Sequence, residues 1–229
     1  MSDLDIEVVP QLDKRLGRQK VHDPVSRGWP LSMGIDRNKW RTKSVRIYDP
    51  RPNPNQCHGE CTGVAKAMQF NSIGNRVKGK VLRMDDAHKI YSLATTLDPW
   101  QGNWPPTDTG SSGLASCKAA EKLKLGGSYR HIFRGADEVV QLIQEGRAVS
   151  VGTWWMWDMF DPDDNGIIEP TGGRAGGHQY IARGYDVKRD LVRIRCWWGE
   201  FRDAWIRRAH LNDLLMDGGD AHVQDRKHF

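Results

Sequence analysis

Apolar residues recur with a helical period through the middle of the chain and with a period of two through its last third. Cys61, Val64, Ala65 and Met68 fall at i, i+3, i+4 and i+7, the stripe of a helix face. Ala87, Ile90, Tyr91, Ala94 and Leu97 predict a second helix, with Asp85 or Asp86 as its cap. Leu114, Cys117, Ala120 and Leu123 predict a third, starting near Ser111 or Ser112. Ala136, Val139, Val140 and Ile143 predict a fourth, with Gly146 just past its end as the C′ residue. Beyond Gly146, residues 148–153, 179–185 and 191–197 read as strands. In the last of these Val192, Ile194 and Cys196 share one face, which leaves Arg193 and Arg195 on the wet one. Helices first and strands second predict an α+β fold of two segregated lobes, not an alternating parallel sheet. The expected organisation is a helix-rich lobe over residues 44–130 and a β-rich lobe over 131–229. Residues 1–43 hold few periodic apolar positions, and Pro24, Gly28 and Pro30 break any helix, so they read as an arm laid over the surface.

Composition removes several alternatives. At 229 residues and 38% hydrophobic content, the chain is long enough to bury a core without disulfide scaffolding. Its four cysteines, Cys57, Cys61, Cys117 and Cys196, are too irregularly spaced for a disulfide framework. The net charge of +5 is scattered. The nearest approach to a basic face is Arg193, Arg195, Arg202, Arg207 and Arg208, so nucleic-acid binding is not expected. No apolar run reaches the roughly 18 residues that a membrane span needs. Residues 1–10 are acidic and lack the basic and apolar regions of a signal peptide, which predicts synthesis in a cytoplasm.

The segment Asn55-Gln56-Cys57-His58-Gly59-Glu60-Cys61 follows the run RPNPN, which must be extended, and sets Cys61 at the first turn of an amphipathic helix. Unpaired N–H groups and the helix dipole there favour thiolate over thiol. The candidate proton donor is His178, behind the paired glycines Gly176 and Gly177 and at the start of a strand.

These segments resemble the papain-like cysteine peptidases, in particular their compact microbial and phage-encoded members. Gly59-Glu60-Cys61-Thr62 matches the nucleophile motif, and Gly177-His178-Gln179 followed by Gly184-Tyr185-Asp186 matches the histidine motif. Thr109-Gly110-Ser111-Ser112, Ala148-Val149-Ser150-Val151-Gly152 and Asn165-Gly166-Ile167-Ile168 match the segments between them. Arg195-Cys196-Trp197-Trp198-Gly199 stands where the family has Lys-Asn-Ser-Trp-Gly. The 117 positions from Cys61 to His178 suit this fold better than the smaller cell-wall amidase folds, which place the two closer.

The resemblance implies a two-lobe papain-like fold, its β lobe barrel-like, and a thiol peptidase needing no cofactor and acting on a peptide or protein substrate. Cys61 would be the nucleophile, His178 its partner and Gln56 the oxyanion amide. The family glutamine lies six residues before the cysteine and Gln56 only five; Asn55 holds the expected offset, and Gln56 is the preferred assignment. Cys196 replaces the asparagine that orients the histidine, which leaves a Cys–His dyad shielded by Trp198. Gly177, Trp154 and Trp155 are expected along the cleft. The competing implication is a non-catalytic scaffold on the same fold, associated with a virion or with other assembly proteins.

Two metal readings are weaker. Cys57, His58 and Cys61 lack a second Cys/His pair for zinc. Asp161, Asp163 and Asn165 match the first positions of a calcium loop, but Gly172 stands where its bidentate glutamate belongs.

Overall fold

The computed structural model describes residues 5–7, 10–22, 44–47, 55–72, 81–198 and 201–226, with backbone alone for 5–7, 22, 198, 201, 202 and 226. Residues 51–54 of the RPNPN run, the arm past His22 and the Trp198 and Arg202 side chains lie outside the described residues.

Helix α1 (Cys61–Asn71) is the centre of the molecule, and all of its residues are buried. A helix covered on every side must satisfy its polar side chains internally. Lys66 Nζ donates to Gln69 Oε1 (2.9 Å) and to Cys117 Sγ (3.1 Å), while Gln69 Nε2 donates to the carbonyls of Ala148 and His222. Asn71 exchanges two hydrogen bonds with the Leu82 backbone. Around α1 pack α2 (Met84–Thr95) and α3 (Gly113–Lys122). Helix α3 is capped by Ser112, whose hydroxyl accepts from the Ala115 N–H. In α2, Asp86 sits inside the first turn and reaches back to the Arg83 N–H at 2.9 Å. Helix α4 (Gly135–Gln144) ends as expected, with Gly146 at φ +86° donating to the Ile143 carbonyl.

The sheet is antiparallel throughout. Its strands are β3 (Val45–Arg46), β4 (Gly126–His131), β5 (Val149–Met156), β6 (Arg174–Asp186), β7 (Leu191–Trp198), β8 (Phe201–Arg207) and β9 (Asp220–Arg226). The order is β4-β9-β5-β6-β7-β8, with β3 also paired to β6 and α5 (Arg208–Met216) leading into β9. A separate pair joins β1 (Asp5–Glu7) to β2 (Lys20–His22). The α+β class agrees with the sequence, but the elements are less segregated than expected: β3 and β4 come before α4, and α5 lies between β8 and β9.

Several details differ from it. Strands β5 and β6 are longer than their alternating cores, and the pairing of Thr153 with His178 and of Trp154 with Gly177 carries them past the point where glycines blur the pattern. The Arg193/Arg195 side of β7 is not wet: Arg195 is buried, and Arg183 and Arg193 converge on Asp203 at 2.9 and 3.2 Å. The Asn165–Gly166 turn lies within the long connection between the paired strands β5 and β6. Asp163 organises it by accepting the N–H groups of Asn165 and Ile167, and Ile167 bridges to Trp205.

Candidate active site

Cys61 is the first residue of α1 and is fully buried. The loop before it is fixed on both sides. The Gln56 N–H donates to the Trp197 carbonyl of β7 at 2.7 Å, and the Gly59 N–H donates to Asp108 Oδ2 at 2.8 Å. Asp108 is braced in turn by the Tyr91 hydroxyl. Across the site β6 carries Gly177, His178 and Gln179, and the Gln179 backbone N–H hydrogen-bonds the Cys61 sulfur. The peptide that links His178 to Gln179 therefore abuts the thiol. The His178 imidazole is buried, edge-on to Trp155 at 5.1 Å and stacked with Tyr180 at 6.0 Å between ring centres. Cys196 is buried with Val192 and Ile194 in the main core, so an apolar group holds the position where the resemblance leads one to expect a carboxamide.

The space between the α1 loop and β6 is filled by the chain's own arm. Leu12 N–H donates to the Ala175 carbonyl, and Gln11 Oε1 accepts the Gly177 N–H. The N–H groups of Gly17 and Arg18 donate to the Gly177 carbonyl at 3.2 and 3.0 Å. On the other wall Ser111 N–H donates to the Gly17 carbonyl (2.8 Å), and Gln19 N–H returns to the Ser111 carbonyl (2.7 Å). The Gln56 side-chain amide donates to the Arg15 carbonyl (2.9 Å) and to that of His58 (2.8 Å). The Gly17 N–H also reaches the Cys61 sulfur. Gly17 presses so closely on Gly59 that a methyl group there would overlap the Gly59 backbone carbonyl. Leu16 through Gln19 are buried, so this part of the arm is threaded through the molecule, not laid on it.

That seat sets the electrostatics. Burial pushes the Cys61 thiol up to about 12, and the Gln179 and Gly17 N–H groups and the Arg18 charge only partly oppose it. The depressed thiol expected from the helix terminus is thus reversed, because the arm excludes the water a thiolate needs. Burial, helped by the Arg15 charge, likewise holds the His178 imidazole well below its ordinary range. With the arm in place the pair is a thiol and a neutral ring. Glu60, buried beside Cys61, is raised by burial and has His88 at 2.9 Å.

The remaining candidates divide. Gly177 lines the arm's seat through its backbone. Trp155 touches His178, and Trp154 lies under the Arg174 guanidinium at 4.2 Å. All four cysteines are free, and Cys57 is the exposed one. Asp163 is spent on its turn, and among the described residues no cluster of His, Cys, Asp or Glu could hold a metal. Among them, too, no helix is long and apolar enough to cross a membrane. Sequence reasoning missed the arm residues Arg15 to Gln19 and the bracing Asp108; the available signal was Leu16-Gly17, an apolar residue and a glycine inside a polar stretch.

No family model and no curated protein sequence matches the chain. Solved structures do. Xylellain, a cysteine protease from Xylella fastidiosa, superposes with a TM-score of 0.73 at 14% identity over 96% of this chain and 98% of its own. Procathepsin B S9 from Trypanosoma congolense gives 0.62 at 12% identity over 93% and 87%. The bromelain protease from Ananas comosus, solved in complex with the E64 inhibitor, gives 0.56 at 12% over 82% and 100%. The structural neighbours are papain-like cysteine proteases, and the fold of this chain is theirs.

Proposed function

We propose that the chain is a papain-like cysteine peptidase whose N-terminal arm occupies its own cleft. Cys61 is the nucleophile and His178 the general base and acid. The Cys61 proton passes to the imidazole as the sulfur attacks a peptide carbonyl carbon. The oxyanion is held by the Gln56 side-chain amide and the Cys61 N–H. The imidazolium then protonates the departing amine, and water hydrolyses the thioester. Cys196 offers His178 no carboxamide, so Trp155 and Tyr180 fix the ring's plane in its stead.

One observation carries this reading: the Gln56 amide already grips a main-chain carbonyl, that of Arg15, in the groove where the next N–H but one along the arm, that of Gly17, touches the Cys61 sulfur. This is the grip a scissile carbonyl needs. The test is hydrolysis of a denatured protein substrate by a full-length chain whose arm is dislodged by Gly17→Ala. Cleavage that disappears with Cys61→Ala and with His178→Ala supports the reading. A dislodged chain with an unreactive Cys61 overturns it in favour of a binding scaffold, such as a component of a virion.

A further inference from the structure

Two acidic side chains tie the loop of residues 56–60 to α2, where His88 and Tyr91 lie three positions apart on one face. The Tyr91 hydroxyl braces Asp108, whose Oδ2 accepts the Gly59 N–H at 2.8 Å. His88 Nε2 stands 2.9 Å from Glu60 Oε2, and Glu60 Oε1 accepts the Cys57 N–H at 3.4 Å. Trp104 packs on both rings of that face, 5.2 Å from His88 and 5.4 Å from Tyr91 between ring centres. Glu60 directly precedes Cys61 and is fully buried. It is the N-cap of α1, yet its side chain makes no cap bond to the helix. Turned into the helix, a carboxylate would take up first-turn N–H groups and the positive end of the dipole, which a thiolate or an oxyanion needs. Instead it is turned back onto Cys57 and His88. Burial raises this carboxyl, Asp108 adds to the rise, and His88, the Cys57 N–H and His58 oppose it. A buried ion pair is a poor source of stability, and what this one holds is the loop that carries Gln56.

We propose that Glu60 and His88 are positioning residues for hydrolysis at Cys61: paired, they set the Gln56–Gly59 loop so that the Gln56 amide and the Cys61 N–H serve one oxyanion. They act through Gln56 and Cys61, not on the substrate. Drawn toward His88, the Glu60 side chain fixes the Cys57 N–H, and with it the peptide that follows Gln56. It also leaves the N–H groups at the start of α1 to the reacting carbonyl. Displacing such donors by about 1 Å costs about a hundredfold in rate. This inference rests on the peptidase reading above, and the experiment separates the failure of one from the failure of the other.

The experiment compares peptide hydrolysis with alkylation of Cys61 by iodoacetamide, in full-length chain whose arm is dislodged by Gly17→Ala. Hydrolysis passes through an oxyanion and alkylation does not, so only the first reads the donors. Adding Glu60→Ala is expected to lower kcat about 10- to 100-fold, while KM and the Cys61 labelling rate each change less than about threefold. Glu60→Gln, which keeps an acceptor for the Cys57 N–H, is expected to retain most of kcat. His88→Ala is expected to lower kcat as well, and His88→Ala with Glu60→Ala to lower it no further than Glu60→Ala alone. Hydrolysis and labelling that fall together, a kcat that does not move, a Glu60→Gln chain as slow as Glu60→Ala, or two losses that add in full overturn the positioning role and leave the peptidase standing. If Glu60→Ala does not fold, His88→Ala decides alone, because that side chain is 37% exposed. Lower kcat with unchanged labelling then supports the role, and parallel changes overturn it. A Gly17→Ala chain that hydrolyses nothing with Glu60 and His88 intact overturns the peptidase reading, and this role with it.

Discussion

Gly17→Ala is the smallest change that opens the cleft. The added methyl group has no space, because the backbone carbonyl of Gly59 occupies it, and Gly59 is itself tied to Asp108. The arm must lift, which takes the Gly17 N–H off the sulfur and admits water. With the arm seated, the Cys61 thiol lies at about 12. At a pH near 8 such a thiol is ionised in about one molecule in ten thousand, whereas one near the ordinary value is ionised in roughly one in ten, a gain of about a thousandfold. The less basic thiolate is a weaker nucleophile, which takes back roughly 20- to 30-fold and leaves about 30- to 50-fold before access is counted. The assay is iodoacetamide labelling at that pH, quantified by peptide mass spectrometry, with the exposed Cys57 as an internal reference. The expected outcome is slow labelling of Cys61 in the unaltered chain and a rise of about 30-fold or more in Gly17→Ala, with Cys57 unchanged. Equal Cys61 rates in the two chains, or a Cys61 that already matches Cys57 in the unaltered one, would refute the idea that the arm suppresses the thiolate.

Three further outcomes follow from polar groups and their partners. Burial raises the Asp98 carboxyl to about 6, against the opposing hydrogen bonds from Ser111 and Trp100. Its protonated form suits the fold, so its stability contribution is whole below about pH 3.8 and is lost as the pH rises through about 6. Asp98→Asn should therefore gain more stability over the unaltered chain at pH 7.5 than at pH 4 in urea melts, and the reverse ordering would contradict the assignment. Lys66→Met replaces a buried ammonium by a chain of similar length and should change stability by no more than about 1 kcal/mol, whereas Cys117→Ala strips a partner from Lys66 and should cost about 2 kcal/mol. A larger loss from Lys66→Met than from Cys117→Ala would reverse that reasoning. Asp108→Ala unpairs both the Gly59 N–H and the Tyr91 hydroxyl and should lower stability by about 2 kcal/mol in the same melts; no loss would show these bonds to be idle.

The elements that the sequence predicted best carry an apolar stripe of regular period. Helices α2, α3 and α4 are of this kind, as is β7 with Val192, Ile194 and Cys196 facing the core, although its Arg195 side is buried as well. Helix α1 was found from its stripe, although it is buried all round; Lys66, Gln69 and Asn71 look like a solvated face until their partners on other elements are known. Strands β4 and β9 carry too little apolar alternation to be read, since Gly126, Gly127, Gln224 and Asp225 interrupt it. The Gln179 N–H of β6 lies at the Cys61 sulfur, and the Gln56 amide reaches the Arg15 carbonyl of the arm. The arm's path was not legible, because it is held by main-chain bonds to Gly177 and Ser111 that leave no trace in side-chain pattern. For the same reason the state of Cys61 was misjudged: the local helix terminus lowers a thiol, but a segment more than 40 residues upstream removes the water, and that desolvation is the larger effect.

The central claim is that Cys61 and His178 act together on a carbonyl held by Gln56. Its most direct measurement is intact-mass and peptide-map analysis of full-length Gly17→Ala after rapid mixing with an activated peptide ester. The account predicts an acyl adduct on Cys61 that forms in a burst, forms far more slowly in Gly17→Ala/His178→Ala, and is absent in Gly17→Ala/Cys61→Ala. An adduct that appears on Cys57 instead, or one on Cys61 whose rate is indifferent to His178, would contradict it.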